Sequence, residues 1–507
     1  MTTATMPRPP ENGATPLSPR RIGLIMVSLV LALIPLQLDA LVAATALPTI
    51  AGDLGGFDSL AWITTSYLLA MAIGMVVAGR TCRPAGRRRL LLAALVAFGV
   101  GSVLTGLAPS MGALVGARTL QGLGAGMTFT SLLAVVADVA PPDRRARYQG
   151  ILGAIAPVSM IVGPWAGGVI TEHLGWRWIF LLNVPLVLAS IAGVLAFVRL
   201  PVRPRGGRVD VAGLVAVVFA SSGLVLAATW GGHRYGWGSW QVLGALLVAA
   251  VAIGALVLVE GRAAHPVLPL DLFRTRSVVL SFVVLALGMG AVMTSAITYL
   301  PVFLQLVQGR SASSSGLLLL PLLLPAIVVG VLAGRFTTNP ARFRPTMVLG
   351  TSLLVAASVL LATMTVDTSG WLTAAYMVLA GFGIGLLFQT PMVLVQNSVP
   401  GGEIGAATGA AGFMRMIGAA VGAGALGALF SSTVAAAMPD DVDAASLTPE
   451  TVTALPTAVQ AAARTAVATG SSALFWVAAA LAAVALVAAL ALPRRTVSPA
   501  APTEAAR

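Results

Sequence analysis

The sequence predicts an all-α polytopic membrane protein, and three observations predict it. Hydrophobic residues make up 58% of the 507 and charged residues only 9%, an imbalance that no soluble domain of this length hides in one core. The apolar residues come in runs of about 20, the length that spans a bilayer as a helix. Every one of the 30 basic residues is arginine, and the arginines gather on alternate connections between those runs.

Taken in order, fourteen spans are expected. In the first half they are 22–47, 59–79, 88–108, 111–138, 148–170, 178–198, 210–230 and 240–260. In the second they are 278–305, 314–334, 346–365, 371–398, 405–433 and 472–492. The first is too long for the apolar part of a signal peptide, and no small-residue cleavage site follows it. Residues 1–20, rich in Pro and Thr, read as a disordered tail, and 494–507 as a second tail.

The arginines set the orientation. Arg177, Arg234, Arg310 and Arg464 fall in odd-numbered connections, and Arg118 and Arg415 fall inside spans. All the others lie in the tails and the even-numbered connections, which places both termini on the cytoplasmic side. The net charge of +13 is therefore mostly a topology signal, and no basic soluble segment exists to bind nucleic acid. The lack of Lys beside abundant Ala, Gly and Arg points to a GC-rich bacterial genome, hence to a bacterial cytoplasmic (inner) membrane.

Several chemistries are excluded. Cys82 is the only cysteine, and His173, His233 and His265 all fall in expected connections, so no metal site is expected. A nucleotide-binding loop of the Gly-x4-Gly-Lys type cannot occur without Lys. An intramembrane enzyme would need converging catalytic groups, and only one deep carboxylate is present.

An internal repeat gives the architecture. Gly79-Arg80 recurs as Gly334-Arg335, and Gly163 with Gly167 recurs as Gly418 with Gly422, each pair 255 residues apart. That offset equals eight spans, so both copies keep the same orientation. Parallel repeats of six spans build transporters with a central site between two bundles. The expected division is a 21–200 bundle, an inserted pair of helices within 201–276, and a 277–493 bundle.

Ionisable residues inside spans mark the candidate site, because each costs roughly 3 kcal/mol at mid-membrane. Asp39 lies eight residues before Leu47, and Arg118 eight residues after Ser110. Each is thus about 12 Å deep from the same face, so the two can pair as a proton-coupling site; the alternatives are an Arg118 that snorkels to the outer headgroups and an Asp39 that bonds a neighbouring helix backbone. Protonating Asp39 would release Arg118. Arg415 lies about 15 Å into its span, where snorkelling is hard; either it faces a substrate cavity, with Phe413, Trp165, Tyr299, Gln305 and Gln389 as further candidates, or it bonds span-end carbonyls structurally. In the stretch GPWAGG at 163–168, Pro164 removes a helix hydrogen bond and should bend the span. Gly163, Gly167 and Gly168 leave a flat face for close packing.

These residues resemble the major facilitator superfamily and, within it, the fourteen-span drug:proton antiporter branch. The likeness rests on Leu38-Asp39 through Ala46-Leu47-Pro48, then Trp62 and Tyr67, then Arg118-x-x-Gln121-Gly122-x-Gly124. It continues in WRWIFLLNVP at 176–185 and in Glu260, Pro266 and Leu268-Pro269-Leu270. GPWAGG is similar to the branch's fifth-span antiporter motif, with Gly150 in place but Ser159 where a further glycine is usual. Between spans 2 and 3, Gly79, Gly86, Arg87 and Arg88 fit the superfamily's cytoplasmic gating loop, with Arg80 beside them. Arg83 and Pro84 replace its acidic and basic pair, so either the latch differs or these arginines serve only topology.

The resemblance implies a major-facilitator fold of two six-helix bundles plus an inserted hairpin. It implies a proton-coupled efflux antiporter, not an enzyme, that exports amphipathic drugs or secondary metabolites by alternating access. Uptake symport on the same fold is the alternative, and a non-transporting receptor a more distant one. The implied partners of a monomeric chain are an amphipathic small molecule, protons and the lipid bilayer. No cofactor is needed where the proton gradient supplies the drive.

Overall fold

In hydrocarbon no water satisfies a backbone amide, so apolar segments close their own hydrogen bonds as helices. The computed structural model describes residues 19–54, 60–81, 86–140, 144–198, 210–231, 235–262, 270–309, 319–336, 339–400, 403–438 and 456–493. Regular structure among them is helical throughout, apart from one isolated bridge between Gly231 and Tyr235.

The first bundle holds α1 (Pro19–Leu54), α2 (Leu60–Thr81), α3 (Arg87–Gly106) and α4 (Met111–Val139). It is completed by α5 (Arg145–Gly153) with α6 (Ile155–His173), and by α7 (Arg177–Leu181) with α8 (Asn183–Phe197). Next come α9 (Val211–Trp230) and α10 (Trp240–Glu260). The last third begins with α11 (Arg276–Val283), which runs through a π-helical stretch, Val284–Val292, into α12 (Met293–Leu306). It continues with α13 (Leu320–Phe336), α14 (Phe343–Ala362), α15 (Gly370–Leu387), α16 (Thr390–Asn397), α17 (Ile404–Ala437) and α18 (Thr457–Leu490).

Among the described residues, twelve helical stretches are long and apolar enough to cross a bilayer. The expected spans 148–170 and 314–334 fall outside that set. The first is interrupted at Ala154 between α5 and α6. Pro157 has no N–H to offer the carbonyl of Gly153, four residues before it, which explains a break there. At Pro164, where a bend is expected, α6 continues as one helix to His173. The helix in the second span, α13, is only 17 residues long and contains Pro325. Two other helices overrun their expected limits. α1 has 36 residues, about 54 Å against a core of about 30 Å. α18 begins at Thr457, ahead of the expected 472, and carries Arg464 on its first turns.

Packing repeats across the chain. α1 lies against α6 as the π stretch lies against α17, and α2 lies against α4 as α13 lies against α15. Between the two groups, α2 meets α17 and α5 meets α13, the same two positions of each repeat exchanged. α9 packs on α2 and α17 and carries α10 on its far side. A Cβ on Gly424 of α17 would lie 2.0 Å from the Ala228 carbonyl oxygen of α9, so this glycine permits the close approach. α10 leaves Trp240, Leu247 and Val251 outward, as a lipid-facing helix should.

Candidate functional site

The deepest polar cluster centres on Asp39 of α1. Its Oδ2 accepts a hydrogen bond of 2.5 Å from Arg118 Nη1 of α4. Its Oδ1 accepts 2.8 Å bonds from Gln121 Nε2 and from Asn183 Nδ2 at the start of α8. Gln121 also donates to Ser102 Oγ of α3 at 2.7 Å and accepts from Arg118 Nη1 at 2.8 Å. All five residues are buried. Glycines make the convergence possible. A Cβ on Gly101 would sit 2.6 Å from the Gln121 amide nitrogen, and one on Gly122 would sit 2.3 Å from the Tyr67 carbonyl oxygen. The α2, α3 and α4 backbones therefore approach closely enough for short side chains to meet across them.

A carboxylate with three donors, one of them a guanidinium, is well satisfied for a buried charge. Such a pair is held by its surroundings, and removing one partner would leave the other as an uncompensated buried charge. Arg118 Nε has no hydrogen-bond partner. The guanidinium instead stacks on aromatic rings, 4.2 Å from the Tyr67 centroid and 5.4 Å from that of Phe180.

Beside this cluster, between the two bundles, lies a cavity of about 270 Å³. Tyr67 belongs to both, since it lines the cavity and carries Arg118 on its ring. The lining is mostly apolar and rich in flexible methionine: Met71, Met289, Met293 and Met416. Gln37, Thr294 and Gln389 add polar contacts, and Arg415 is the charged residue on the wall. Its guanidinium carbon lies 5.2 Å from the Phe129 ring centroid.

Of the cavity candidates named from sequence, Arg415 and Gln389 line it, and Tyr299, Gln305 and Phe413 do not. Tyr299 is two residues past the lining Ile297, about 200° around the helix, and packs on Phe430 at 5.0 Å between centroids. Gln305 is eight residues beyond Ile297, about 12 Å along α12 toward its end. Phe413 precedes Arg415 by two residues and packs with Ala72, Val76 and Val217. The Trp165 and Pro164 side chains lie outside the described residues. Within the same stretch, Gly163 and Gly167 are buried and Gly168 is exposed. Gln37, Thr294 and the methionines went unnamed from sequence. The π stretch, where Met293 N–H reaches the Gly288 carbonyl five residues back, rotates this wall in a way no periodicity announces.

On the face where α1 begins, the two bundles touch. Arg145 Nη1 donates to Asn397 Oδ1 at 2.8 Å, and Gln149 Nε2 donates to Gln396 Oε1 at 2.7 Å. Gln396 in turn donates to Thr408 at 3.0 Å. A Cβ on Gly79 would lie 2.8 Å from the Gly405 carbonyl oxygen. On the same face Arg87 forms an ion pair with Asp138 and donates to the Ala134 carbonyl at 2.8 Å, while Arg88 donates to the Leu195 carbonyl at 2.7 Å. Gly86, at φ 79°, takes the left-handed turn that starts α3. Arg83 and the Arg80 side chain lie outside the described residues.

The sequence model described as the Major Facilitator Superfamily matches residues 27–423. The chain belongs to the major facilitator superfamily. Members of this family are transporters rather than enzymes. Among relatives of this superfamily member, an uncharacterized MFS-type transporter of Mycobacterium tuberculosis (strain ATCC 25618 / H37Rv) is 38% identical over 420 residues. That match covers 82% of this chain but 60% of the mycobacterial protein, so the chain spans less than two thirds of that relative's length. Multidrug transporter protein MdtP of Bacillus subtilis (strain 168) is 33% identical over 399 residues, 78% of this chain and 73% of MdtP. In fold, the chain is similar to the proton:xylose symporter XylE, solved with 6-bromo-6-deoxy-D-glucose. The TM-score is 0.62 at 15% identity, over 92% of this chain and 95% of that one.

Proposed function

We propose that this superfamily member is a proton-coupled efflux antiporter of the bacterial cytoplasmic membrane, in the fourteen-span branch, with both termini cytoplasmic. It exports amphipathic drugs or metabolites from the cavity between bundles 21–200 and 277–493, with α9 and α10 as the inserted pair. The observation that carries the reading is the buried Asp39–Arg118 pair, joined through Tyr67 to an apolar, methionine-rich cavity. An ionisable pair at membrane depth beside a cavity marks a proton or substrate pathway. Relatives named as multidrug transporters support the substrate class.

In this reading Asp39 is the exchangeable site. Deprotonated, it holds Arg118 against the Tyr67 ring and orders one wall of the cavity. Protonated, it releases the guanidinium, and the wall with it. Substrate binds the deprotonated arrangement better, so proton and substrate exclude each other and cross in opposite directions. The bridges Arg145–Asn397 and Gln149–Gln396 close the cytoplasmic side in one half of the cycle and part in the other.

The test is Asp39→Asn in proteoliposomes. The variant should insert and bind an amphipathic multidrug probe, more weakly than the native protein does. It should release no protons on binding and drive no uphill export under a pH gradient. Uphill export at near-native rate would remove Asp39 from the mechanism, and uphill accumulation in the direction of proton flow by the native protein would make it a symporter.

A further inference from the structure

Arg415 is the charged group on the cavity wall, and among the described residues it has no counter-ion. Asp39 cannot serve, because its side chain is fully buried and already holds Arg118, and it does not line the cavity. Among the described residues no other acid lines the cavity. Arg415 lines the cavity and is only half-buried, so it is not sealed in protein. Phe129 at 5.2 Å offers a cation–π contact, which offsets only part of the cost of holding a charge away from water.

We propose that Arg415 is the anion seat of the transport site and that the preferred substrates are amphipathic monoanions, an acidic head on an apolar body. This deepens the antiporter reading and rests on it for the direction of transport, but the recognition itself is an equilibrium property. The apolar body fits against Met71, Met289, Met293 and Phe129 around the cavity of about 270 Å³. The head meets Arg415, with Gln389 and Gln37 also lining the cavity as neutral donors. A carboxylate forms charge-assisted, often bidentate bonds to a guanidinium. An ammonium head would place a second cation beside an unpaired one in a low-dielectric site, where like charges repel strongly. An uncharged head gains neither effect. The charge sum of the cavity, one arginine and no acid, thus sorts substrates by head group while the methionines tolerate varied bodies.

The test compares 6-phenylhexanoate, 6-phenylhexanamide and 6-phenylhexylammonium, which share a body and differ in the head. Binding to the full chain in nanodiscs is measured by titration calorimetry, with empty nanodiscs as the partition control. The native protein should bind the hexanoate at least about tenfold tighter than the amide, and the ammonium most weakly. Arg415→Gln should lose the preference for the hexanoate over the amide, and Arg415→Lys should recover part of it as a point charge. Because Arg415→Gln removes an unpaired buried charge, its melting temperature should equal or exceed the native one, which separates lost recognition from lost folding. Equal binding of all three probes, tighter binding of the ammonium, or a hexanoate preference that survives Arg415→Gln would overturn the proposal. Asp39→Asn should keep the hexanoate preference while losing gradient-driven transport, so failure of the antiport reading is visible separately.

Discussion

Tyr67 faces the central cavity on one side and carries the Arg118 guanidinium 4.2 Å from its ring centroid on the other. No other member of the Asp39 cluster touches the cavity. Tyr67 is therefore the side chain that links the buried ion pair to the cavity. Its hydroxyl reaches the Leu36 carbonyl only at 3.5 Å, so the ring, not the hydroxyl, is the working part. Tyr67→Phe should leave transport within about twofold of native, because the cation–π contact survives. Tyr67→Ala removes a contact worth about 2 kcal/mol in a desolvated site. It should lower the ratio of proton to substrate flux, measured with a pH dye and labelled substrate, more than it lowers binding. Equal losses in the two variants would show the hydroxyl to matter instead.

The glycines that join the bundles make a second prediction. A Cβ on Gly409 of α17 would lie 2.5 Å from the Met75 carbonyl oxygen of α2, a distance that backbone cannot absorb without moving. Gly409→Leu should therefore keep the face where α1 begins from closing. Spin labels at the exposed positions Arg89 and Arg342, one on each bundle, should move apart in the variant, and transport should fall about tenfold or more. An unchanged label distance with full transport would mean that α2 and α17 do not need this contact.

Pairing Asp39 with Arg118 was legible in the sequence because depth along a helix counts evenly, at about 1.5 Å per residue, from ends marked by Leu47 and Ser110. Rotation about the helix was not. Tyr299, Gln305 and Phe413 are polar or aromatic at plausible depths, yet their phase turns them toward neighbouring helices or carries them past the cavity. Nothing in the apolar run 284–292 distinguishes a π stretch from an α-helix. Gln121, Ser102 and Asn183 were each visible as polar residues in apolar surroundings. Their meeting depends on how closely Gly101 and Gly122 let three backbones approach, which is a tertiary fact. The interruption at Ala154 had a signal in Pro157, but Pro164 in the glycine-rich stretch drew the expectation away from it.

The orientation is testable at an exposed turn. Asp367 sits between α14 and α15, at the end of the bundle opposite the start of α1. With both termini cytoplasmic, as proposed, that turn is expected outside the cell. Asp367→Cys in a Cys82→Ser background should react with an impermeant maleimide in intact cells. Arg342→Cys in the same background should react only after the cells are opened. The reverse pattern would invert the molecule and exchange its inner and outer faces.

Asp138 at the end of α4 supplies Arg87 with an acid from within its own bundle, whereas the loop between spans 2 and 3 carries Arg83 at the position where the resemblance implies an acid. The pair is partly exposed, 12% for the arginine and 32% for the aspartate, so solvent screening keeps it near the top of the surface range, about 1 kcal/mol. Arg87 also donates to the Ala134 carbonyl in the last turns of α4, where a cation is favoured by the helix dipole. Asp138→Asn should therefore lower stability by about 1 kcal/mol or less, read from thermal unfolding in detergent. Reversing both charges, Arg87→Asp with Asp138→Arg, should recover only part of the loss. It restores the ion pair but turns an anion toward the α4 carbonyls. The bonds between the bundles at this face come from Arg145–Asn397 and Gln149–Gln396, and the Arg87–Asp138 pair ties α3 to α4 inside one bundle. The label distance between Arg89 and Arg342 should accordingly stay put in Asp138→Asn and lengthen in Asn397→Ala. A change in Asp138→Asn as large as in Asn397→Ala would make the Arg87–Asp138 pair part of the gate.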